Sequence, residues 1–132
     1  MTGGRRRRPS LPRGERGAVT AETVMVLPLL VLLTAALCWL LAVGAAQVRA
    51  VDAARETARL AARGDTDAVA IDAGRRVAPS DAQVVLSRGG DDVTARVTGA
   101  VPLPGGLLDR LLPPARVQAE ATAVVETAGA TP

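Results

Sequence analysis

The 132-residue sequence has no histidine, lysine, tyrosine or phenylalanine, and one tryptophan and one cysteine. Without histidine or lysine, Ser10, Ser80 and Ser87 have no side-chain base of the kind that activates a serine nucleophile. The lone cysteine, Cys38, permits no disulfide within the chain. Metal sites need clustered His, Cys or carboxylates. The only adjacent acids, Asp91 and Asp92, follow two glycines and read as a turn. No glycine-rich phosphate cradle occurs. These absences argue against an enzyme, and against a cofactor, a metal or a small-molecule substrate. The single aromatic, Trp39, falls inside a long apolar run. Any soluble core is therefore made of Val, Leu, Ile and Ala, and small cores rarely supply more than about 3–5 kcal/mol.

What is present is unevenly placed. Residues 1–22 hold six arginines against Glu15 and Glu22, a net +4, whereas residues 49–132 hold ten arginines against eleven acids, a net −1. Between them, Thr23 to Val48 is a run of 26 residues without a charge. As a helix it reaches roughly 39 Å, enough to cross a hydrocarbon core of about 30 Å. Positive flanks stay on the cytoplasmic side. The Arg5–Arg8 cluster therefore reads as a topology determinant and not as a nucleic-acid site, with the N-terminus inside and the C-terminal part outside. Pro28 lies within the apolar run and is expected to kink the helix. Ala42 and Ala46, four residues apart, permit close helix packing.

Beyond Val48 the helix is expected to continue, because no Gly or Pro occurs before Gly64. Val51, Ala54, Ala58 and Ala61 fall on one face, and Asp52/Arg55 and Glu56/Arg59 form i,i+3 pairs away from it. Gly64 is expected to cap this helix. A second helix is expected over Asp67–Val77, stopping before Pro79. The period then changes to two. Ala82–Ser87 and the alternating Val93, Ala95 and Val97 flank a turn at Arg88–Asp91, a hairpin signal. A Pro/Gly/Leu loop with a short amphipathic turn at Leu107–Leu112 precedes a last strand, in which Val117, Ala119, Ala121, Ala123 and Val125 alternate with Gln118, Glu120, Thr122, Val124 and Glu126. The expected fold is α+β: a long N-terminal transmembrane helix extending into a small, mostly antiparallel sheet.

The junction Arg16-Gly17-Ala18-Val19-Thr20-Ala21-Glu22 is the anomaly, because it puts a carboxylate at the mouth of a membrane helix. Acids at bilayer depth are rare and usually functional. Three readings of the N-terminus are open. A secretory signal would be cut near Gly44-Ala45-Ala46, but the apolar run exceeds the 7–15 residues of a signal core. An uncleaved single-span anchor fits the length and leaves Glu22 without a task. A leader cut between Gly17 and Ala18 would create an α-amine four residues from Glu22, and a paired carboxylate persists where a lone one does not. That cut would leave 115 residues with a net charge of −2.

The residues of this junction, followed by Val26-Leu27-Pro28, resemble the N-terminus of TadE-like minor pilins of the tight-adherence, Flp-type pilus system, and the Ala53–Arg59 helix with its Val-rich tail resembles actinobacterial members. Thr23 stands where Flp-type pilins usually carry an aromatic, which points to a minor and not a major pilin. The resemblance implies a pilin-like fold in three parts: a basic leader at 1–17, a transmembrane assembly helix at 18–48 and an extracytoplasmic α+β domain at 49–132. It implies a processing site at Gly17 and Ala18, and assembly roles for Glu22 and Pro28. The implied partners are a prepilin peptidase, other pilins, pilus platform proteins and the membrane, and the implied location is the cytoplasmic membrane or a surface pilus. The alternative is a secreted or membrane-anchored binding module whose small β domain recognises an external ligand.

Overall fold

The computed structural model describes residues 15–105 and 113–126, with side chains described for residue 24 and from residue 26 onward. The amphipathic turn expected at 107–112 lies outside the described residues, as does most of the basic leader. The element order is α1 (Glu15–Ala62), α2 (Asp67–Val77), β1 (Gln83–Gly89), β2 (Asp92–Val101) and β3 (Ala115–Val124), an α+β fold. Compactness divides the chain into two units, Met1–Ala36 and Leu37–Pro132.

The first unit contains the part of α1 that ends at Ala36. Helix geometry runs unbroken through Pro28, although proline supplies no amide for the Val24 carbonyl. One turn further on, the Thr34 hydroxyl donates back to the Leu30 carbonyl at 2.8 Å, a bond that satisfies the side chain within the helix.

The second unit begins with the remainder of α1. Its end is set by Gly64, which takes φ +94°. The Gly64 amide donates to Ala61 and the Asp65 amide to Leu60, the paired bonds of a Schellman cap that consume the helix's last carbonyls. The Ala62 carbonyl accepts instead from the Glu126 amide at 3.1 Å, which ties the end of β3 to the end of α1. α2 carries Asp67 in its first turn and Arg75 and Arg76 in its last, in the sense that complements the helix dipole.

The strands form an antiparallel meander in the order β1-β2-β3. Register is complete along both pairs, from Gln83↔Thr98 to Gly89↔Asp92 and from Asp92↔Val124 to Val101↔Ala115. The hairpin turn is tighter than the sequence suggests: Arg88 and Gly89 belong to the ladder, and only Gly90 (φ +61°) and Asp91 lie between the strands. The period-two alternation holds. Val93, Ala95 and Val97 are fully buried, and Val84, Val117 and Ala119 join them. The opposite face is polar: Arg96 pairs with Glu120 at 2.7 Å and the Thr94 and Thr122 hydroxyls meet at 3.0 Å. Both are cross-strand neighbours on the solvated face.

The buried face of the sheet packs on α1 through Ala50, Ala53 and Ala54, which meet Val84, Val97 and Ala119. A second cluster joins Ala61 of α1, Ala70 of α2 and Val93. Small side chains let these backbones approach closely, and α1 and α2 meet at Gly74. A Cβ at Gly74 would stand 2.0 Å from the Thr57 hydroxyl oxygen. Thr57 is fully buried, with that hydroxyl donating to the Ala53 carbonyl at 2.8 Å.

Candidate functional site

The apolar stretch of α1 has side chains of one kind on every side. Val24, Val26, Leu27, Leu29, Leu30, Val31, Leu32, Leu33 and Leu37 are all largely exposed. A helix apolar around its whole circumference is stable in water only when something covers it. From Val26 onward α1 is long and apolar enough to cross a membrane, with a mean hydropathy of 2.6 in its best window and none of that window buried by the chain itself. An exposed apolar surface of this extent marks a lipid or protein contact.

The residues singled out at the junction lie at the head of this helix. α1 starts at Glu15, so Gly17, Ala18 and Glu22 fall in its first two turns, while their side chains lie outside the described residues. Residues 18 and 22 are four apart in a continuous helix and therefore share one face, one turn from each other. Pro28 follows within the same helix.

Among the described residues no group of His, Cys, Asp and Glu could hold a metal ion. Cys38 is exposed and unpaired by disulfide. The polar groups that do interact are structural. Glu56 pairs with Arg59 at 2.6 Å, as the spacing suggests, and Asp72 pairs with Arg76. Arg88 of β1 reaches Asp67 at the start of α2 at 2.5 Å. All four ion pairs among the described residues are substantially solvent-exposed, where such pairs contribute roughly 0–1 kcal/mol. An open groove of about 560 Å³ runs beside Asp81, Thr98 and Arg116, and one of about 510 Å³ lies between Ala42–Arg49 of α1 and Asp81 and Pro102.

Two contacts of α1 were not singled out by the sequence reading. Trp39 donates its indole N–H to the Pro102 carbonyl at 3.1 Å, and Gln47 donates its amide to the Gln118 carbonyl at 2.8 Å. Both residues lie inside the uncharged run. The signal for them was present: Trp39 is the run's only aromatic and Gln47 its only carboxamide, and a buried or half-buried indole N–H or amide requires an acceptor.

Comparison with known proteins places the resemblance on this helix. The family model of the TadE-like proteins matches residues 17–59. The match begins at the glycine of the junction, covers the apolar run and ends in the buried part of α1. The chain is also similar to the apoptosis inhibitor Rv3655c of Mycobacterium tuberculosis, with 45% identity over 80 residues, which is 61% of this chain. The similar stretch spans 57% of that relative's length. No solved structure matches the chain. Residues 17–59 are thus similar to the TadE-like proteins.

Proposed function

We propose that this chain is a TadE-like, pilus-associated protein: a minor pilin or pseudopilin of a tight-adherence pilus or a related secretion assembly. In this reading residues 1–17 are a basic leader, residues 18–48 the transmembrane and assembly helix, and residues 49–132 an extracytoplasmic domain. A prepilin peptidase cuts between Gly17 and Ala18 on the cytoplasmic side. The subunit is non-enzymatic and works through contacts with other pilins, platform proteins and the membrane.

The observation that carries the proposal is one coincidence. The family match begins at Gly17, and the helix that follows exposes apolar side chains all round. Such a helix needs lipid before assembly and partner helices after it. Cleavage leaves an α-amine on Ala18, one turn from Glu22. An ammonium at a helix N-terminus opposes the helix dipole, and a carboxylate on the same face offsets it. In a low-dielectric surrounding the pair persists where either charge alone is strongly disfavoured. The amine can belong to the same chain or to a neighbour in an assembly, and the second arrangement sets the register between subunits.

Glu22→Ala tests this role. The variant is expected to be processed normally and to lose most of its recovery with pilin partners in pulldowns from membrane extracts. Unchanged recovery would remove Glu22 from assembly. The similarity to a protein named as an apoptosis inhibitor favours a second reading, a released or anchored module that binds an external partner through its β domain. A mature chain starting near Gln47 would support that reading.

A further inference from the structure

The uncharged run of 26 residues is longer than a bilayer needs. At 1.5 Å per residue it exceeds a 30 Å core by roughly 9 Å. Tilt alone would absorb the excess only at about 40°, the extreme of the range seen for membrane helices. The structure offers another use for the surplus. The globular unit begins on the helix well before the charges do. The Pro102 carbonyl sits on the Trp39 indole, Ala46 is buried, and Gln47 is held by the Gln118 carbonyl. Ser80 and Asp81 line the groove beside Ala42 and Ala45.

If hydrocarbon extended to Val48, the membrane-facing end of the sheet would lie inside it. Asp81 and Arg116, both exposed, would have to enter lipid together with the irregular backbone at Pro102. Non-helical backbone facing lipid leaves polar groups unsatisfied, and ionised side chains there are costly. Trp39 is where these polar elements stop. It is also the chain's only aromatic, an amphipathic ring of the type that collects at the headgroup level.

We propose that the C-terminal unit rests directly on the outer bilayer surface, with the Trp39–Pro102 contact at the boundary between headgroups and acyl chains. The hydrocarbon span then ends near Trp39 and not at Val48. The exposed Leu40 and Leu41 occupy the headgroup layer just above it, and Ala46, Gln47 and Ala50 belong to the domain. The surface around Trp39 and Pro102 is thus a docking face whose occupant is a lipid bilayer. Counting about 20 residues back from Trp39 brings the start of the span to Thr20, which takes Glu22 inside the hydrocarbon edge and sharpens its need for a partner. The inference rests on α1 spanning the membrane, and does not depend on cleavage at Gly17 or on pilus assembly.

Trp39 is the chain's only fluorophore of consequence, so the full-length protein reports its own depth. In vesicles of phosphatidylethanolamine and phosphatidylglycerol, a span centred on residues 23–48 puts Trp39 about 5 Å from the midplane, whereas a span ending at Trp39 puts it about 15 Å away. Lipids brominated next to the headgroup are expected to quench Trp39 at least about twofold more than lipids brominated near the chain ends, the contrast set by those two depths. Stronger quenching by the deep bromines would overturn the proposal while leaving the span intact. Full access to aqueous iodide with no quenching by either lipid would overturn both the proposal and the span.

Discussion

Replacing Gly74 by alanine tests how the two helices of the globular unit are fitted together. On propensity alone the change stabilises α2, since alanine is favoured over glycine by about 1 kcal/mol in a helix interior. At this position the new Cβ meets the Thr57 hydroxyl at 2.0 Å and the Ala53 carbonyl at 3.3 Å. Neither neighbour yields easily. The carbonyl is helix backbone, and a β-branched threonine has few helical rotamers, so turning the hydroxyl away brings its methyl toward the same space. The helices must separate, and overpacking of this kind costs about 1–3 kcal/mol. Gly74→Ala is therefore expected to destabilise the unit by about 1–2 kcal/mol, propensity gain included. Thr57→Ala removes the offending oxygen and leaves the Ala53 carbonyl at 3.3 Å and the residue 57 Cβ at 3.4 Å, contacts that a shift of a few tenths of an ångström relieves. In that background Gly74→Ala is expected to be neutral or to stabilise by up to about 1 kcal/mol. The sign of the substitution thus reverses with residue 57, with a coupling of about 2 kcal/mol, within the range for touching residues. Hydrogen exchange of the β2 amides, followed by mass spectrometry on the full chain in detergent for wild type, both single variants and the double variant, measures all four corners. Equal effects of Gly74→Ala in the two backgrounds, within about 0.5 kcal/mol, would refute the account of the crossing.

Two further outcomes follow, one from a named contact and one from the proposed processing site. Val97→Ala removes a fully buried side chain from the sheet–helix cluster. It is expected to cost about 2 kcal/mol, from two lost methyl groups and a cavity that rigid strands do not close, read as faster exchange of the β2 amides in the same experiment. Gly17→Leu is expected to block maturation, seen as full-length protein accumulating in membranes; normal maturation of that variant would remove Gly17 from the processing site.

Much of the fold is legible in the sequence because its punctuation is strong. Gly64 and Pro79 bracket α2 and give its limits as Asp67–Val77, as observed. The Val93, Ala95 and Val97 alternation identifies the buried face of β2, since side chains in a strand alternate sides. The hairpin is visible from Gly89-Gly90, but pairing continues through Gly89↔Asp92 and narrows the turn to two residues. Helical spacing puts Val51, Ala54, Ala58 and Ala61 on the inner face of α1; the buried set takes in Ala50, Ala53, Thr57 and Ala62 as well, and Val51 is half-buried. The helix touches both the sheet and α2, and a single-stripe pattern shows only one such neighbour. Least legible is the level at which the sheet meets α1. Trp39 and Pro102 are 63 residues apart and Gln47 and Gln118 are 71 apart. Alternation tells which side of a strand faces inward, and carries no information on where along a helix that strand will rest. At the candidate site, residue types and spacing mark Glu22 as the anomaly, and the processing site at Gly17 and Ala18 rests on the family resemblance. In the helix, residues 18 and 22 fall on one face, a turn apart.

The central claim is that residues 1–17 are a leader and that assembly starts from a new N-terminus. Intact mass and N-terminal sequencing of the protein extracted from membranes test it directly. A start at Ala18, with 115 residues remaining, is the result expected. A start at Gln47 would make the apolar helix a discarded signal, and an intact Met1 or Thr2 would make it an unprocessed anchor; either would contradict the claim.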